Sequence, residues 1–270
     1  MENISVGIIG VGMVGGAVSE YYRGRGFKVF LYDKNKGIGN FDEAARAQFI
    51  FLCLPSPTLE NGKQDLGPFE ETLPALPSGA KVIIKSTVLP GTTEKYQRLY
   101  HGLVLLHNPE FLDTRTAVRD FAQPDIQVVG YTSVSKPHAE EVMKLLPPAL
   151  HQELCLSRES EAVKYFLNAF LAAKNTFANQ IYDYCVAKDI NYEVVKNIVR
   201  HAPRIGGEIH LNVFADGYRG FSGACLPKDI SALVHDARTF SSPLLLVELV
   251  KMLNDGYING SEQGQKKREV

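Results

Sequence analysis

The sequence predicts an α/β protein: an N-terminal Rossmann-type domain built on a mostly parallel sheet, followed by an all-helical domain. In roughly the first 155 residues, short apolar runs alternate with helical or turn segments, a pattern typical of βαβ units. A glycine-rich turn follows the first apolar run, as at the first βα turn of Rossmann folds. From residue 157 onward, the spacing of apolar residues becomes helical.

The predicted strands are short and apolar. The run from Phe49 to Leu54 is apolar at every position, which is typical of a parallel strand buried on both faces. We predict strands at residues 6–9, 28–32, 49–54, 81–84, 103–106 and 126–129. We therefore expect an open sheet with helices on both faces over residues 1–156.

The second part begins with one long predicted helix. Residues 157–188 contain neither proline nor glycine, and Ser157 or, alternatively, Ser160 is a suitable N-cap. The elements predicted next are a helix at 192–200, a glycine-rich loop at 206–223 and helices at 228–239 and 243–258. We assign residues 157–260 to the helical domain and expect the polar residues 261–270 to form a disordered tail.

The composition argues against several functional classes. The 29 basic and 30 acidic residues nearly balance, and no basic stretch is interleaved with aromatics, so we expect no nucleic-acid partner. No apolar run reaches the ~18 residues of a membrane span, and no cationic region precedes an apolar core at the N-terminus, so we expect no membrane association. The four cysteines lie far apart without CxxC spacing, which predicts neither a metal site nor disulfides. The expectation is a cytoplasmic protein with reduced thiols.

The glycine-rich turn has the spacing of a dinucleotide site. Gly10 permits the tight turn, Gly12 lets a pyrophosphate approach the backbone, and Gly15 lets the helix pack on the strand. The helix N-terminus then offers free N–H groups and a positive dipole to the phosphates. The predicted cofactor contacts in this turn are Gly10, Gly12, Met13, Val14 and Gly15.

Asp33 follows the second predicted strand, about 20 residues after the turn, where the acid that binds the ribose hydroxyls is expected. A carboxylate there repels a 2′-phosphate, so the sequence favours NAD over NADP, although Lys34 beside it weakens that preference. The alternative is that the glycines serve only a tight turn and that Asp33 caps the strand end.

The segment Gly220-Phe221-Ser222-Gly223-Ala224-Cys225-Leu226-Pro227-Lys228-Asp229 contains the candidate nucleophile. Pro227 suits the first position of a helix, which places Cys225 just ahead of a helix N-terminus, where dipole and free amides favour a thiolate. Lys228 acts in the same direction, and Asp229 is near enough to cap the helix or to hold a water beside the sulfur. The glycines let a ligand approach the backbone. The alternative is a buried, inert thiol, which is what we expect of the other three cysteines.

Lys164 and Asn168 lie four residues apart on the long predicted helix and therefore project from the same face. A cation and an amide in that arrangement can hold a hydroxyl or a developing oxyanion. Their neighbours Val163, Phe166 and Leu167 are apolar, which favours an inward-facing Lys164 with a functional role. The spacing alone is equally compatible with a solvated face.

Together with four further segments, these motifs resemble those of the UDP-glucose/GDP-mannose dehydrogenase family. The further segments are Cys53-Leu54-Pro55-Ser56-Pro57-Thr58 with Asp65-Leu66, Lys85-Ser86-Thr87-Val88-Leu89-Pro90-Gly91-Thr92, Asn108-Pro109-Glu110-Phe111-Leu112 and Arg204-Ile205-Gly206. The resemblance runs from residue 4 to about residue 259, with the motifs in the family's order. The combination of NPEFL, KYxxN and GACLPKD is far more specific than any one of them.

The resemblance implies an NAD-dependent, four-electron oxidation of a nucleotide-sugar primary alcohol to a uronic acid. Cys225 would attack the aldehyde to give a thiohemiacetal, hydride transfer would yield a thioester, and water would hydrolyse it. Lys164 and Asn168 match the pair that stabilises the oxyanion. Asp229 and Thr87 match residues that order water and assist proton transfer.

The resemblance also implies the remaining contacts of the site. Glu110 matches the acid of the NPEFL loop, and Arg204 matches an arginine that reaches substrate, in some members across a dimer interface. The implied contacts are Pro55 and Thr87 with the cofactor, and Glu110, Phe111, Leu112, Lys164, Asn168, Arg204 and Gly220 with the substrate. A homodimer formed through the long helix is expected.

One departure from the family pattern concerns the chemistry. Many members carry a second glutamate four residues after the NPEFL acid, where this chain has Thr114. We expect Asp113, Glu110 or Asp229 to take over its role as a base, or thioester hydrolysis to be slow.

Two further departures concern substrate binding. The family's C-terminal nucleotide-binding domain is expected to be lacking, so that a separate chain supplies it, the substrate is held differently or the protein is degenerate. Arg204 lies further before Cys225 than in the family, and the inserted loop, residues 208–218, is expected to reshape the sugar pocket.

Two other functions remain open. A β-hydroxyacid dehydrogenase has the same kind of N-terminal domain and a similar Lys-xxx-Asn pair but transfers a single hydride without a cysteine nucleophile. A non-catalytic NAD-binding subunit is the other alternative, suggested by the expected lack of a domain and by Thr114. The segment around Cys225 argues against both.

Overall fold

The protein divides into two compact units in a computed structural model. The described residues are 4–207, 210–214, 217–223, 225–240 and 243–266, without the side chains of 261–266. The first unit contains the chain up to Leu59 and Gln64–Lys164, and the second contains Glu60–Lys63 and the chain from Tyr165. The division after Lys164 falls eight residues beyond position 156, the predicted domain boundary.

The first unit is built on one sheet. Its strands are β1 Ser5–Ile9, β2 Lys28–Asp33, β3 Ile38–Gly39, β4 Phe49–Leu52, β5 Lys81–Ile84, β6 Val104–His107, β7 Ile126–Tyr131 and β8 His151–Leu156. Their order is β3-β2-β1-β4-β5-β6-β7-β8, with antiparallel pairing at β2–β3 and β6–β7 and parallel pairing elsewhere. The predicted α/β class with a mostly parallel sheet is confirmed.

Helices cover both faces of this sheet. They are α1 Met13–Gly24, α2 Phe41–Ala45, α3 Gly67–Thr72, α4 Thr92–Leu99, α5 Ala117–Ala122 and α6 Ala139–Leu145. Successive side chains of a strand point to opposite faces, so Phe49 and Phe51 pack with Tyr22 of α1 while Ile50 and Leu52 pack on the side of α2 to α4. This two-sided burial explains why the strand is apolar throughout.

Two strands escaped prediction because each lies at an edge of the sheet. The strand β3 has two residues, too few for any alternation of apolar and polar side chains. The first half of β8, His151-Gln152-Glu153, is polar and exposed, so it lacks the apolar run on which the other predictions rested. Exposed edge strands commonly carry such charged and polar residues.

Helices α7 Ser157–Ala187, α8 Tyr192–Val199, α9 Leu226–Thr239 and α10 Leu245–Lys266 complete the fold. The predicted N-cap is wrong, because Ser157 is already helical and its buried Oγ has no hydrogen-bond partner among the described atoms. Glu159 instead accepts the amide of Leu156 at 2.8 Å, as in a capping box. The predicted end of the last helix at Ile258 is also wrong, since α10 continues to Lys266; residues 267–270 lie outside the described residues.

Within the described ranges, no helix is long and apolar enough to cross a membrane.

Candidate active site

The glycine-rich turn links β1 to α1. Gly10 has φ +91° and lies so close to the next strand loop that a Cβ would meet the carbonyl oxygen of Cys53 at 2.4 Å. A Cβ on Gly15 would lie 1.9 Å from the carbonyl oxygen of Gly10, so helix and turn pack backbone to backbone. A Cβ on Gly12 would meet nothing within 4 Å, which leaves the N-terminus of α1 open to a ligand.

Asp33 ends β2 and contacts the glycine-rich turn. Its Oδ2 accepts the amide of Val11 at 2.8 Å, and its Oδ1 accepts the amide of Lys36 at 3.0 Å. Partial burial would raise the pKa of Asp33, but these amides and the Lys36 ammonium outweigh it, so the pKa lies below its ordinary value. The residue is therefore an ionised carboxylate beside the open helix N-terminus.

A cavity of about 680 Å³ opens at the carboxyl ends of β1, β2 and β4, the edge where Rossmann-type sheets bind dinucleotides. Its lining includes Gly10, Tyr32, Asp33, Leu54, Pro55 and Pro68. Lys34 also lines it and forms an ion pair with Glu71, so its charge is partly balanced. This pairing reduces the attraction that Lys34 would exert on a 2′-phosphate.

Replacing Asp33 with serine should weaken NAD binding at least tenfold, since a charged hydrogen bond to the ribose is lost. It should also narrow the preference for NAD over NADP, because the repelling carboxylate is gone. Titration of protein fluorescence with each dinucleotide measures both effects, and Glu43→Gln, which removes an exposed carboxylate of α2, is the control. Unchanged NAD affinity in the Asp33 variant would contradict the predicted contact.

The NPEFL loop follows β6 and pairs with Lys164. The Lys164 ammonium lies 3.0 Å from Glu110 Oε1 and 5.7 Å from the centroid of the Phe111 ring. The other carboxylate oxygen of Glu110 accepts the amide of Leu112 at 2.8 Å. Burial would raise the pKa of Glu110, but Lys164, the Leu112 amide and Lys85 together hold it below its ordinary value. Lys164 therefore faces the interior, which the spacing had left open.

Lys85 follows β5 and binds the NPEFL loop through Asn108 and Pro109. Its ammonium donates to Asn108 Oδ1 at 2.7 Å and to the carbonyl of Pro109 at 3.3 Å, and it lies 5.3 Å from the Phe121 ring. Burial lowers the pKa of Lys85 to about 8. Lys85 was not among the residues for which the sequence predicted a role. The available signal was a lysine directly at the carboxyl end of a four-residue apolar strand.

Cys225 is the N-cap residue of α9. The helix starts at Leu226, two residues before the predicted range 228–239, so Pro227 occupies its second position rather than the predicted first. The thiols of Cys225, Cys53 and Cys155 are all half-buried. Burial raises the pKa of Cys53 to about 12 and that of Cys155 to about 11, so these two thiols are protonated at neutral pH.

Asp229 lies in the first turn of α9 and is almost fully buried. Its Oδ2 accepts from Asn168 Nδ2 at 2.6 Å, and its Oδ1 accepts from Lys228 Nζ at 2.5 Å. Both of these donors are side chains rather than backbone amides of α9. The arrangement pairs two of the predicted catalytic residues, Asn168 and Asp229, one turn from Cys225.

The remaining predicted residues have less specific surroundings. Thr87 is buried, and its carbonyl accepts from Ser56 Oγ at 2.7 Å. Arg204 is exposed in a short 3₁₀ turn. Gly220 has φ +95° and would collide through a Cβ with Asn254 Oδ1 at 2.6 Å, so its need for glycine is structural. Residues 208, 209, 215 and 216 of the predicted inserted loop lie outside the described residues.

Two family models match the chain. Residues 39–147 match the NAD binding domain of the UDP-glucose/GDP-mannose dehydrogenase family, and residues 158–256 match its central domain. The chain belongs to this family. Its first unit is thus an NAD-binding domain, as the cavity and Asp33 indicate, and the predicted cofactor is confirmed. Among the described residues, no group of three or more His, Cys, Asp or Glu could hold a metal ion.

Curated relatives agree with this membership, and solved structures share the fold. The UDP-glucose 6-dehydrogenase AglM of Haloferax volcanii is 31% identical over 248 residues, which are 83% of this chain and 56% of the relative. The chain spans about half the length of the curated relatives it matches. A UDP-glucose dehydrogenase structure from Pyrobaculum islandicum superposes with a TM-score of 0.80 at 24% identity, covering 94% of this chain and 68% of that one.

Another solved structure with the same fold is matched over nearly its whole length. A 3-hydroxyisobutyrate dehydrogenase from Mycobacterium tuberculosis has a TM-score of 0.72 at 17% identity and covers 96% of this chain and 95% of that one. At that identity the likeness concerns the fold alone.

Proposed function

We propose that the protein takes part in the NAD-dependent oxidation of a nucleotide sugar of the UDP-glucose type to its uronic acid, with Cys225 as covalent nucleophile. The observation that carries the proposal is the place of Cys225 at the N-cap of α9, one turn before the buried Asp229–Asn168 pair. A half-buried thiol at a helix N-terminus is in the setting that favours nucleophilic cysteines.

The reaction balances as two oxidations and one hydrolysis. The primary alcohol loses a hydride and a proton to give an aldehyde, and the Cys225 thiol adds to its carbonyl carbon to give a thiohemiacetal. Loss of a second hydride and proton gives a thioester, and water cleaves the carbon–sulfur bond to release the acid and restore the thiol. Gly10, Gly12 and Asp33 would hold NAD, which would accept the hydride in each of the two oxidations.

Lys164 and Asn168 are proposed to stabilise the oxyanion that forms when sulfur adds to the carbonyl. Lys164 brings a charge in a buried setting, where an ammonium acts strongly on a developing negative charge. Glu110 holds that ammonium at 3.0 Å and orients it. Asn168 is oriented in the same way by Asp229 at 2.6 Å.

The base for thioester hydrolysis is the part of the site in which this chain departs from the family pattern. Asp113 is partly exposed, and its two carboxylate oxygens accept hydrogen bonds from the Arg115 guanidinium at 3.1 and 3.0 Å. Glu110 and Asp229 are buried carboxylates next to proposed catalytic groups. Many family members have a glutamate at the position of Thr114. We propose that Asp229, one turn from Cys225, orders the hydrolytic water in place of that glutamate.

The experiment is NADH formation at 340 nm with purified protein, NAD and a panel of nucleotide sugars led by UDP-glucose and GDP-mannose. Two NADH for each sugar consumed, with uronic acid identified by mass spectrometry, is the expected result. One NADH with an aldehyde or ketone product would favour single hydride transfer of the β-hydroxyacid type. No NADH with any sugar, despite NAD binding, would argue for a non-catalytic subunit or for a required partner chain.

The long helix supports a homodimer. Phe166, Phe170, Phe177 and Tyr184 lie on one stripe of α7 and are 57% to 72% exposed. An exposed aromatic stripe of this length is typical of a surface that another chain covers. The proposed partner is a second copy of the protein, as the family resemblance implies.

A Phe170→Glu/Phe177→Glu double variant should be monomeric at micromolar concentration while the unmodified protein is dimeric. Each lost phenylalanine contributes about 2 kcal/mol when buried, and the two-fold relation doubles the loss. Light scattering after size exclusion gives the mass, and Phe240→Glu, at another exposed phenylalanine, is the control. A monomeric unmodified protein would refute the proposal.

A further inference from the structure

Arg219 immediately precedes the glycine that opens the segment before Cys225. Its guanidinium forms a two-pronged ion pair with Asp183, with Nη1–Oδ1 at 2.5 Å and Nη2–Oδ2 at 2.8 Å. It also donates to Asn179, from Nε to Oδ1 at 3.1 Å and from Nη2 to the carbonyl at 2.9 Å. Both partners belong to α7, so four hydrogen bonds tie Arg219 to that helix.

Aromatic rings hold the same guanidinium. Its central carbon lies 4.4 Å from the ring centroid of Tyr257 on α10 and 5.2 Å from that of Tyr182 on α7. The Arg219 side chain is only 21% exposed. Planar guanidinium groups combine forked pairing and ring stacking in a way that lysine cannot. Arg219 thus links α7, α10 and the start of the cysteine loop, which we define as residues 219–223, just before Cys225.

The next residues of the cysteine loop are fixed as well. Asn254 of α10 accepts the Phe221 amide at 2.7 Å and donates to the Phe221 carbonyl at 3.0 Å. The Phe221 side chain is buried with Leu226 and Ile230 of α9. After Phe221, Gly223 has φ +80° and no atom within 4 Å of where a Cβ would be, so the loop is open to its surroundings there.

Two attachments to α7 therefore bracket Cys225. Before the thiol, Arg219 is joined to Asp183 and Asn179; after it, Asp229 accepts the side-chain amide of Asn168. Asn168 is itself a proposed oxyanion donor. Contacts with α7 on both sides of Cys225, at Arg219 and at Asp229, therefore tie the chain around the thiol to the helix that carries this donor.

We propose that Arg219 is a positioning residue for Cys225: its clamp on Asp183 and Asn179 fixes the cysteine loop and with it the direction in which the thiol is presented. The proposal rests on the proposed role of Cys225 as nucleophile. It predicts effects on the thiol that can be measured without any sugar substrate.

The test is the rate of Cys225 alkylation by iodoacetamide from pH 6 to pH 9, followed by mass spectrometry of the Cys225 peptide. Arg219→Leu should change the rate at least about fivefold and shift its pH profile, because the loop no longer holds the thiol at its place beside the helix N-terminus. Asp183→Asn should give part of this effect. Arg219→Lys should fall between the leucine variant and the unmodified protein, since it keeps the charge and loses the fork.

Arg238→Leu is the matched control. Arg238 forms the same kind of forked pair, with Glu248 at 2.9 Å through both nitrogens, at the far end of α9. Its loss should leave the alkylation rate, the pH profile and NAD binding unchanged. In turnover, Arg219→Leu should lower kcat at least about tenfold with little change in KM for NAD.

The outcomes separate the two proposals. Alkylation that is unchanged in Arg219→Leu and Asp183→Asn, with at most a lower melting temperature, would overturn the positioning role and leave the proposed function intact. An altered alkylation profile in a protein that forms no NADH would support the positioning role while the proposed function fails. If Arg219→Leu does not fold, the Arg219→Lys and Asp183→Asn variants decide by the same criterion.

Discussion

A Cys225→Ser variant should form no uronic acid, with a loss of at least about a thousandfold in the rate of the full reaction. A serine hydroxyl is a far weaker nucleophile than a thiol at neutral pH, so no covalent adduct forms and the second hydride cannot leave. The variant should remain folded, since serine is among the preferred N-cap residues of helices. NADH yield at 340 nm, uronic acid by mass spectrometry and NAD affinity are the three measurements.

Cys155→Ser is the matched control for this experiment. Cys155 is also half-buried, but it belongs to β8, and burial raises the pKa of its thiol to about 11. Its replacement should leave both NADH molecules and the acid in place. Full acid formation by the Cys225 variant would refute the covalent mechanism, because both hydrides would then leave without a bond between the thiol and the sugar.

The first unit was predictable because its determinants are local in sequence. Apolar runs that are buried on both faces stand out, and the glycine-rich turn with Asp33 has a fixed spacing. The structure adds what spacing cannot supply. Asp33 also accepts the Val11 amide, and Lys34 is paired with Glu71, which lies far away in the sequence.

The candidate site was predictable residue by residue but not in its pairings. A spacing of four residues on a helix indicates a shared face, yet it cannot indicate what lies opposite. The partner of Lys164 is Glu110 and that of Asn168 is Asp229, each more than fifty positions away in the chain. Arg219 escaped notice for the same reason, since nothing near it in sequence announces Asp183.

The fold near the start of α7 also contains buried titratable groups that no motif indicated. His107 at the end of β6 is fully buried, and its Nδ1 lies 2.6 Å from Ser160 Oγ. Glu161 accepts the amides of Gly91 and Thr93 at 2.5 and 2.8 Å, so it caps α4 from another helix. These groups join α7 to the sheet and make the stability of the first unit depend on pH.

Burial lowers the pKa of His107 to about 3, with Lys85 acting in the same direction, against an ordinary value of 6.5. Between these values the unfolded chain binds the proton that the folded protein excludes, so stability is complete above pH 6.5 and falls as the pH falls towards 3. Between pH 7 and pH 5 the loss from this one residue is about 2 kcal/mol. A His107→Gln variant should lack this part of the pH dependence.

Urea unfolding at pH 7 and pH 5 gives the change in the free energy of unfolding between the two pH values, for the unmodified protein and for His107→Gln. The difference between these two changes is the contribution of His107. Burial raises the pKa of Glu161 to about 7, so Glu161 acts oppositely: the folded protein gains stability as the pH falls from 7 towards 4.5. That contribution is present in both proteins and cancels in the comparison. His151→Gln, at a histidine 68% exposed, should behave as the unmodified protein does. Equal pH dependence with and without His107 would show that the buried ring accepts its proton in the folded state.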